Sequence, residues 1–183
     1  KRTPNYGLLE DIANECFMPL AYGGGITKFE EAQKIFQIGF EKVSLNHASL
    51  TTPSLVTKIS EYYGSQAVIA SIDVKQNMFG KYKVMASNGR ASTGKDPVAW
   101  AKELEALGAG EILLTSINRE GTWSGFDTEL VKQVADSVNI PVIAHGGAGS
   151  VDDIGKVASQ GHASAVALGS MVVFQKQDMG VLV

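Results

Sequence analysis

One pattern recurs about six times along these 183 residues: a short apolar run, a turn rich in glycine or polar residues, then an amphipathic stretch at helical spacing. The run Gln66–Lys75, QAVIASIDVK, is the clearest. Ala67, Val68, Ile69, Ala70 and Ile72 make both of its faces apolar, as in a strand of a buried parallel sheet. It carries one carboxylate, Asp73. An ionised Asp is costly inside such a core, but it is tolerable at a strand's carboxyl end, where α/β barrels place their chemistry. Asp73 is therefore a candidate catalytic acid or base at a barrel mouth. The plainer alternative is a helix cap or a loop ion pair.

Taken in order, the spacing predicts a helix over Tyr6–Asn14 and a strand over Phe17–Tyr22 closed by Gly23-Gly24-Gly25. Thr27 reads as an N-cap completed by Glu30, opening a helix over Lys28–Ile38 that stops at Gly39. The strand Lys42–Leu45 runs into Asn46-His47, and one helix then extends from about Ser49 through Pro53 to Tyr63. After the Asp73 strand, Gln76–Gly94 breaks the rhythm: Gly80, an alternating Lys81–Ala86 and Asn88-Gly89 predict a small hairpin over the barrel mouth. Helix Asp96–Leu107, strand Glu111–Ser116, loop Asn118–Gly125 and helix Thr128–Val138 follow. Strand Ile140–Ala144 leads into His145-Gly146-Gly147-Ala148-Gly149, and Ser150 or Asp152 caps a helix to about Gln160. Ala163–Leu168 is the last strand, followed by Gly169-Ser170 and a helix-like tail.

A closed barrel of this class needs eight strands. The expectation is an α/β fold, a (βα)8 TIM barrel lacking about two βα units, with residues 1–183 forming a single partial domain that holds strands 3 to 8. The abrupt start at Lys1-Arg2-Thr3 places the missing units upstream. An open doubly wound sheet ranks second, because the Gly-rich turns recur at several strand ends and not at one.

A hydrophobic fraction of 44% suits a domain with a sizeable core, and a net charge of −3 argues against a broad nucleic-acid footprint. The lone Cys16 excludes an internal disulfide and fits a reducing, cytoplasmic setting. No apolar run approaches a membrane span, no signal peptide opens the chain, and no His/Cys/Asp cluster has metal-ligand spacing, so no membrane, metal or cofactor is expected.

Gly23-Gly24-Gly25-Ile26 and Gly146-Gly147-Ala148-Gly149 form a repeat. Each follows a strand with a proline near its start, Pro19 or Pro141, and each opens a helix. Backbone without Cβ lets an anion approach, and helix-terminal N–H groups face it. Counted by strands, the turns lie four apart, which in an eight-stranded barrel means opposite sides of one mouth. Asn46-His47-Ala48 would accompany the first turn, and Gly169-Ser170 with Glu120-Gly121-Thr122 the second. The pair implies a ligand with a phosphate at each end. The same symmetry predicts a second catalytic carboxylate on the first missing strand.

GAGEILLTSINREGTWSGFDTEL (Gly108–Leu130), PLAYGGGI (Pro19–Ile26), EKVSLNHA (Glu41–Ala48), SQAVIASIDVK (Ser65–Lys75) and PVIAHGGAG (Pro141–Gly149) together resemble the cyclase subunit of imidazole glycerol phosphate synthase. The likeness covers almost the whole chain in order. It implies a (βα)8 barrel that takes ammonia from a glutaminase partner in a heterodimer. That barrel cyclises and cleaves a bisphosphorylated ribulosyl-formimino carboxamide ribotide to imidazole glycerol phosphate and an aminoimidazole carboxamide ribotide. By motif, Asp73 matches the family's catalytic aspartate on the fifth strand. Gly24, Gly25, Asn46 and His47 fall in one phosphate site; Glu120, Gly121, Gly146, Gly147, Gly169 and Ser170 fall in or beside the other. Thr115 and His145 would face the substrate between them, and Lys42 and Glu111 match a charged ring through which ammonia enters. The plainer reading of that last pair is an internal salt bridge.

The departures are specific. Asn118 and Glu120 stand where the family usually has Asp, His47 replaces a small hydroxyl residue, and His145 replaces a serine. His145 is bulky and ionisable, so it could change substrate fit or add an acid/base. Trp123 in GTWSGFD, with His145, points to a paralogous subgroup whose members add ammonia to a sugar in lipopolysaccharide or surface-glycan biosynthesis. A histidine-pathway barrel isomerase shares the carboxylates and phosphate sites but not the GEILLTS run or the Lys42/Glu111 pair. A non-catalytic phosphate-binding partner protein is the alternative of another class.

Overall fold

The computed structural model describes residues 4–173. The expected segments at 1–3 and beyond 173, the chain start and most of the helix-like tail, lie outside the described residues. The chain divides into two compact units: one runs to Ser71 and includes Leu104–Glu111, the other holds Ile72–Glu103 and the chain from Ile112 onward.

In the first unit, helix α1 (Tyr6–Glu15) is capped by Asn5, whose side chain accepts from the Leu8 N–H at 3.3 Å. Strand β1 (Ala21–Gly23) follows, then helix α2 (Phe29–Ile38) and strand β2 (Lys42–Leu45). Two short helices, α3 (His47–Thr51) and α4 (Ser54–Tyr63), lead to strand β3 (Val68–Gln76). β1, β2 and the start of β3 pair in parallel, with Ala21 against Lys42 and Val43 against Val68. Ala32 and Ile35 of α2 and Leu55, Val56 and Ile59 of α4 are buried with Val43, Leu45 and Val68. Each of the buried Val, Leu and Ile side chains contributes roughly 1.5–3 kcal/mol by leaving water.

The second unit opens with the far end of β3, which turns back as β4 (Tyr82–Ala86) and β5 (Ala91–Ser92). Helix α5 (Pro97–Ala106) follows and spans both units. Strand β6 (Glu111–Ser116), helix α6 (Thr128–Ala135), strand β7 (Val142–His145), helix α7 (Val151–Gly161), strand β8 (Ala165–Ala167) and helix α8 (Ser170–Val173) complete the described chain. β6, β7 and β8 pair in parallel, with Thr115 against His145 and Ala144 against Val166.

The strand order β1-β2-β3-β6-β7-β8 follows the chain, with β4 and β5 off the path. An open doubly wound sheet reverses its order at a switch point. Among the described strands no reversal occurs, so the α/β fold is that of a partial (βα)8 barrel.

Several local expectations are corrected. The α2 cap sits one residue later than expected: Lys28 is the N-cap, and Glu31, not Glu30, reaches back. Its carboxylate accepts from the N–H groups of Thr27 (2.7 Å) and Lys28 (3.0 Å) and from the Thr27 hydroxyl (3.1 Å). The strand expected over Phe17–Tyr22 shrinks to Ala21–Gly23, with Phe17 98% exposed, so apolar composition there does not mark burial. The single helix expected from Ser49 to Tyr63 is two, because Thr52 leaves helical geometry (φ −144°, ψ 66°) just before Pro53, as residues preceding proline do. Ser150, not Asp152, caps α7, accepting from the Asp153 N–H at 3.2 Å.

Candidate active site

The hairpin sets the position of Asp73. β3 does not end there: it runs three residues further, to Gln76, and residues 73–76 pair antiparallel with β4. Asp73 thus stands where the strand passes from the parallel sheet into a hairpin, and not at a free strand end. The inner turn is fixed by Asn77, whose side-chain oxygen accepts from the N–H groups of Phe79 and Lys81, each at 2.9 Å. The outer turn is Asn88-Gly89, both at positive φ (57° and 76°), the pairing that a two-residue hairpin of matching twist requires.

Strand alternation then sorts the side chains of the second unit. The Ile117 N–H donates to the Val74 carbonyl at 2.9 Å, so β3 and β6 are neighbours there. Val74 and Ser116 are both buried; Asp73 and Thr115, each one residue earlier, take the opposite, half-buried face. Thr115 is in register with His145, and its hydroxyl lies 3.1 Å from His145 Nδ1. His145 Nε2 lies 3.5 Å from a Glu120 carboxylate oxygen. A carboxylate only accepts, so that geometry favours a proton on Nε2 and leaves Nδ1 to accept from Thr115.

The second glycine turn is tightly built. A Cβ on Gly147 would stand 2.3 Å from the Gly125 carbonyl oxygen, and one on Gly149 2.4 Å from that of Trp123. Gly147 is also at φ +102° and accepts from the Gly125 N–H at 2.8 Å. These glycines are required by loop packing as well as by any anion. The Gly149 N–H is already taken by the Asp153 carboxylate at 3.2 Å, so the turn offers fewer open donors than its sequence suggests. A Cβ on Gly146 would meet the Ser116 carbonyl at 2.7 Å. Gly121 (φ +71°) and Gly169 are exposed with open space at their Cβ positions, and Ser170 begins the short α8.

The first glycine turn lies wholly in the first unit. Gly24 and Gly25 are exposed, at φ +114° and +73°. Asn46 is half-buried and its carbonyl accepts from the Ser49 hydroxyl at 2.6 Å; His47 is exposed as the first residue of α3. Lys42 Nζ forms an ion pair with Glu111, and Ser44 and Ser71 share a hydroxyl hydrogen bond of 2.6 Å. Among the described residues no cluster of three His, Cys, Asp or Glu could hold a metal, and no helix is long and apolar enough to cross a membrane.

Sequence reasoning missed two ties of the second unit. Tyr82 donates its phenol to Asp127 at 2.9 Å, while Asp127 also caps α6 by accepting from the Leu130 N–H at 3.2 Å. Burial, then the Asp127 bond and charge, push the Tyr82 phenol far above its ordinary value. Asn118 accepts from the Gln76 N–H at 2.8 Å, anchoring the loop after β6 to the end of β3. The Asp ahead of TEL is an N-cap signal that sequence carries; its tie to Tyr82, 45 residues away, is not.

The chain matches the family described as histidine biosynthesis protein over residues 1–178. It is 46% identical over 180 residues to a Pseudomonas aeruginosa protein that carries the provisional name imidazole glycerol phosphate synthase subunit hisF2, covering 98% of this chain and 72% of that one. It is 44% identical over 164 residues to the Alkaliphilus metalliredigens imidazole glycerol phosphate synthase subunit HisF, covering 90% of this chain and 65% of that one. A family match over nearly all of the sequence, with relatives at this identity, means that the chain belongs to the histidine biosynthesis protein family.

Proposed function

We propose that this chain is the catalytic part of an ammonia-using cyclase of the imidazole glycerol phosphate synthase type, fed by a glutaminase partner. The relatives' names support the type of enzyme. The observation that carries the reading is the shared face of Asp73, Thr115 and His145 in the second unit, where half-buried polar groups interrupt strands that are otherwise apolar. In this reading ammonia attacks a carbonyl of the bisphosphorylated substrate and an imine forms with loss of water. Asp73 transfers a proton as general acid or base while a second carboxylate works opposite to it, and the ring closes as the ribotide leaves. Such proton transfers are worth roughly 10²–10⁴-fold in rate. The Gly24–Gly25 and Asn46–His47 loops, and the Gly121, Gly147 and Gly169–Ser170 loops, hold the two phosphates. The Lys42–Glu111 pair gates ammonia.

The test is Asp73→Asn in the protein with its full barrel, assayed with ammonium and the bisphosphorylated ribotide. Turnover should vanish with the melting curve unchanged; retained turnover removes Asp73 from the mechanism. A second reading, sugar amidation by a paralog, is favoured by one observation: His145 and Glu120 place an imidazole and a carboxylate 3.5 Å apart at positions where the resemblance implies serine and aspartate. Ammonia-dependent conversion of a sugar, with none of the ribotide, would select it.

A further inference from the structure

We propose that Lys75 and Lys83 form an additional anion-binding arm beside Asp73, adding two ammonium contacts to one of the two loop-held phosphate groups of the substrate; the proposal rests on Asp73 facing that substrate. The two lysines are direct cross-strand partners in the antiparallel pairing of β3 with β4. Like charges placed opposite each other destabilise such a pair. The one carboxylate in these hairpin strands is Asp73, two residues before Lys75 on the same face; Lys75–Lys95 itself holds five cations and no carboxylate, in a chain of net charge −3. Among the described residues neither lysine is in an ion pair, whereas Lys95 is matched by Glu103 at 2.8 Å.

The register places the pair, and Lys83 is braced. Strand parity places Lys75 on the face of Asp73, two residues further along, with Lys83 opposite it. Lys83 Nζ donates to the Gly94 carbonyl at 3.1 Å, which holds its stem against the hairpin, and the Asn77 turn fixes the register of both strands. A like-charged cross-strand pair beside a candidate catalytic carboxylate is explained by a multivalent anion that bridges the two ammonium groups. The cost in the free protein is recovered when the anion binds.

The experiment compares wild type, Lys75→Glu, Lys75→Thr and a control, Lys102→Glu, which makes the same charge change on the exposed face of α5. Each is melted at low salt with and without millimolar inorganic pyrophosphate. The wild type and the control should gain thermal midpoint with pyrophosphate, and both Lys75 variants should lose that gain. Both Lys75 variants should also melt higher than wild type without the anion, since the repulsion is gone. In the ammonia-dependent assay, Lys75→Thr should raise KM for the phosphorylated substrate about tenfold with kcat little changed, as for a group that binds ground and transition states alike. An equal pyrophosphate gain in the Lys75 variants, or its loss in the control, overturns the proposal. So does a fall in kcat at constant KM, which would mean that Lys75 acts on Asp73. Active Asp73→Asn alongside loss of the pyrophosphate gain in Lys75→Glu would sink the role of Asp73 and leave the anion arm standing.

Discussion

The phenol of Tyr82 donates to Asp127 at 2.9 Å, and this bond joins the hairpin that follows Asp73 to the first turn of α6. One carboxylate thus serves a helix cap and a hairpin anchor, and Ser116 Oγ lies 3.4 Å from its second oxygen. Removing either partner should be felt in both elements.

Tyr82→Phe leaves Asp127 its cap role and should cost about 1 kcal/mol, the net worth of one hydrogen bond. Asp127→Ala loses the cap as well and should cost about 2 kcal/mol or more. Urea unfolding of the two single variants and the double variant separates the shared part. The phenol's value is raised on folding, so its contribution is complete below the unfolded value of about 10 and is lost as pH rises beyond it. Tyr82→Phe should flatten the alkaline fall in stability.

At the acid end the informative group is Glu31. Burial pulls its value up, but the hydrogen bonds from Thr27 and Lys28 and the nearby Lys28 charge outweigh burial, and the net shift is downward. Its stabilisation is therefore present above the unfolded value of about 4.3 and fades as pH falls through the lower folded value. Glu31→Gln should be less stable at pH 7 and should show a shallower loss of thermal midpoint between pH 5 and about 3.

The two glycine turns should respond differently to alanine. At Gly147 a Cβ meets a carbonyl oxygen at 2.3 Å and φ is +102°, so Gly147→Ala should cost more than about 2 kcal/mol. At Gly24 a Cβ meets nothing within 4 Å, and only the backbone conformation (φ +114°) opposes it, at about 1 kcal/mol. Thermal melts of the two variants check the order. Equal costs would mean that the second turn relaxes freely.

His145→Asn keeps a polar group beside Thr115 but removes the ring that also reaches Glu120. If the imidazole titrates in the reaction, the acid limb of the pH–rate profile should flatten. If it only shapes the site, KM should change and the profile should not.

Strand and helix order was legible in the chain because the two periodicities are local. Lys42–Leu45 and Glu111–Ser116 were read at their observed bounds, and Gly39 ends α2 in the left-handed conformation its sequence signals (φ +116°). Asp73, too, stood out as the one carboxylate in an apolar strand. What the sequence could not decide were contacts made between distant residues. The extension of β3 past Asp73 depends on β4 supplying hydrogen-bond partners for residues 73–76, and the pairing of Lys75 with Lys83 follows from that register. The Thr115–His145 bond needs β6 and β7 side by side, and the capture of the Gly149 N–H by Asp153 needs the cap geometry of α7. Local propensity selects the elements; which polar groups remain open to a ligand is decided only when tertiary neighbours have satisfied the others.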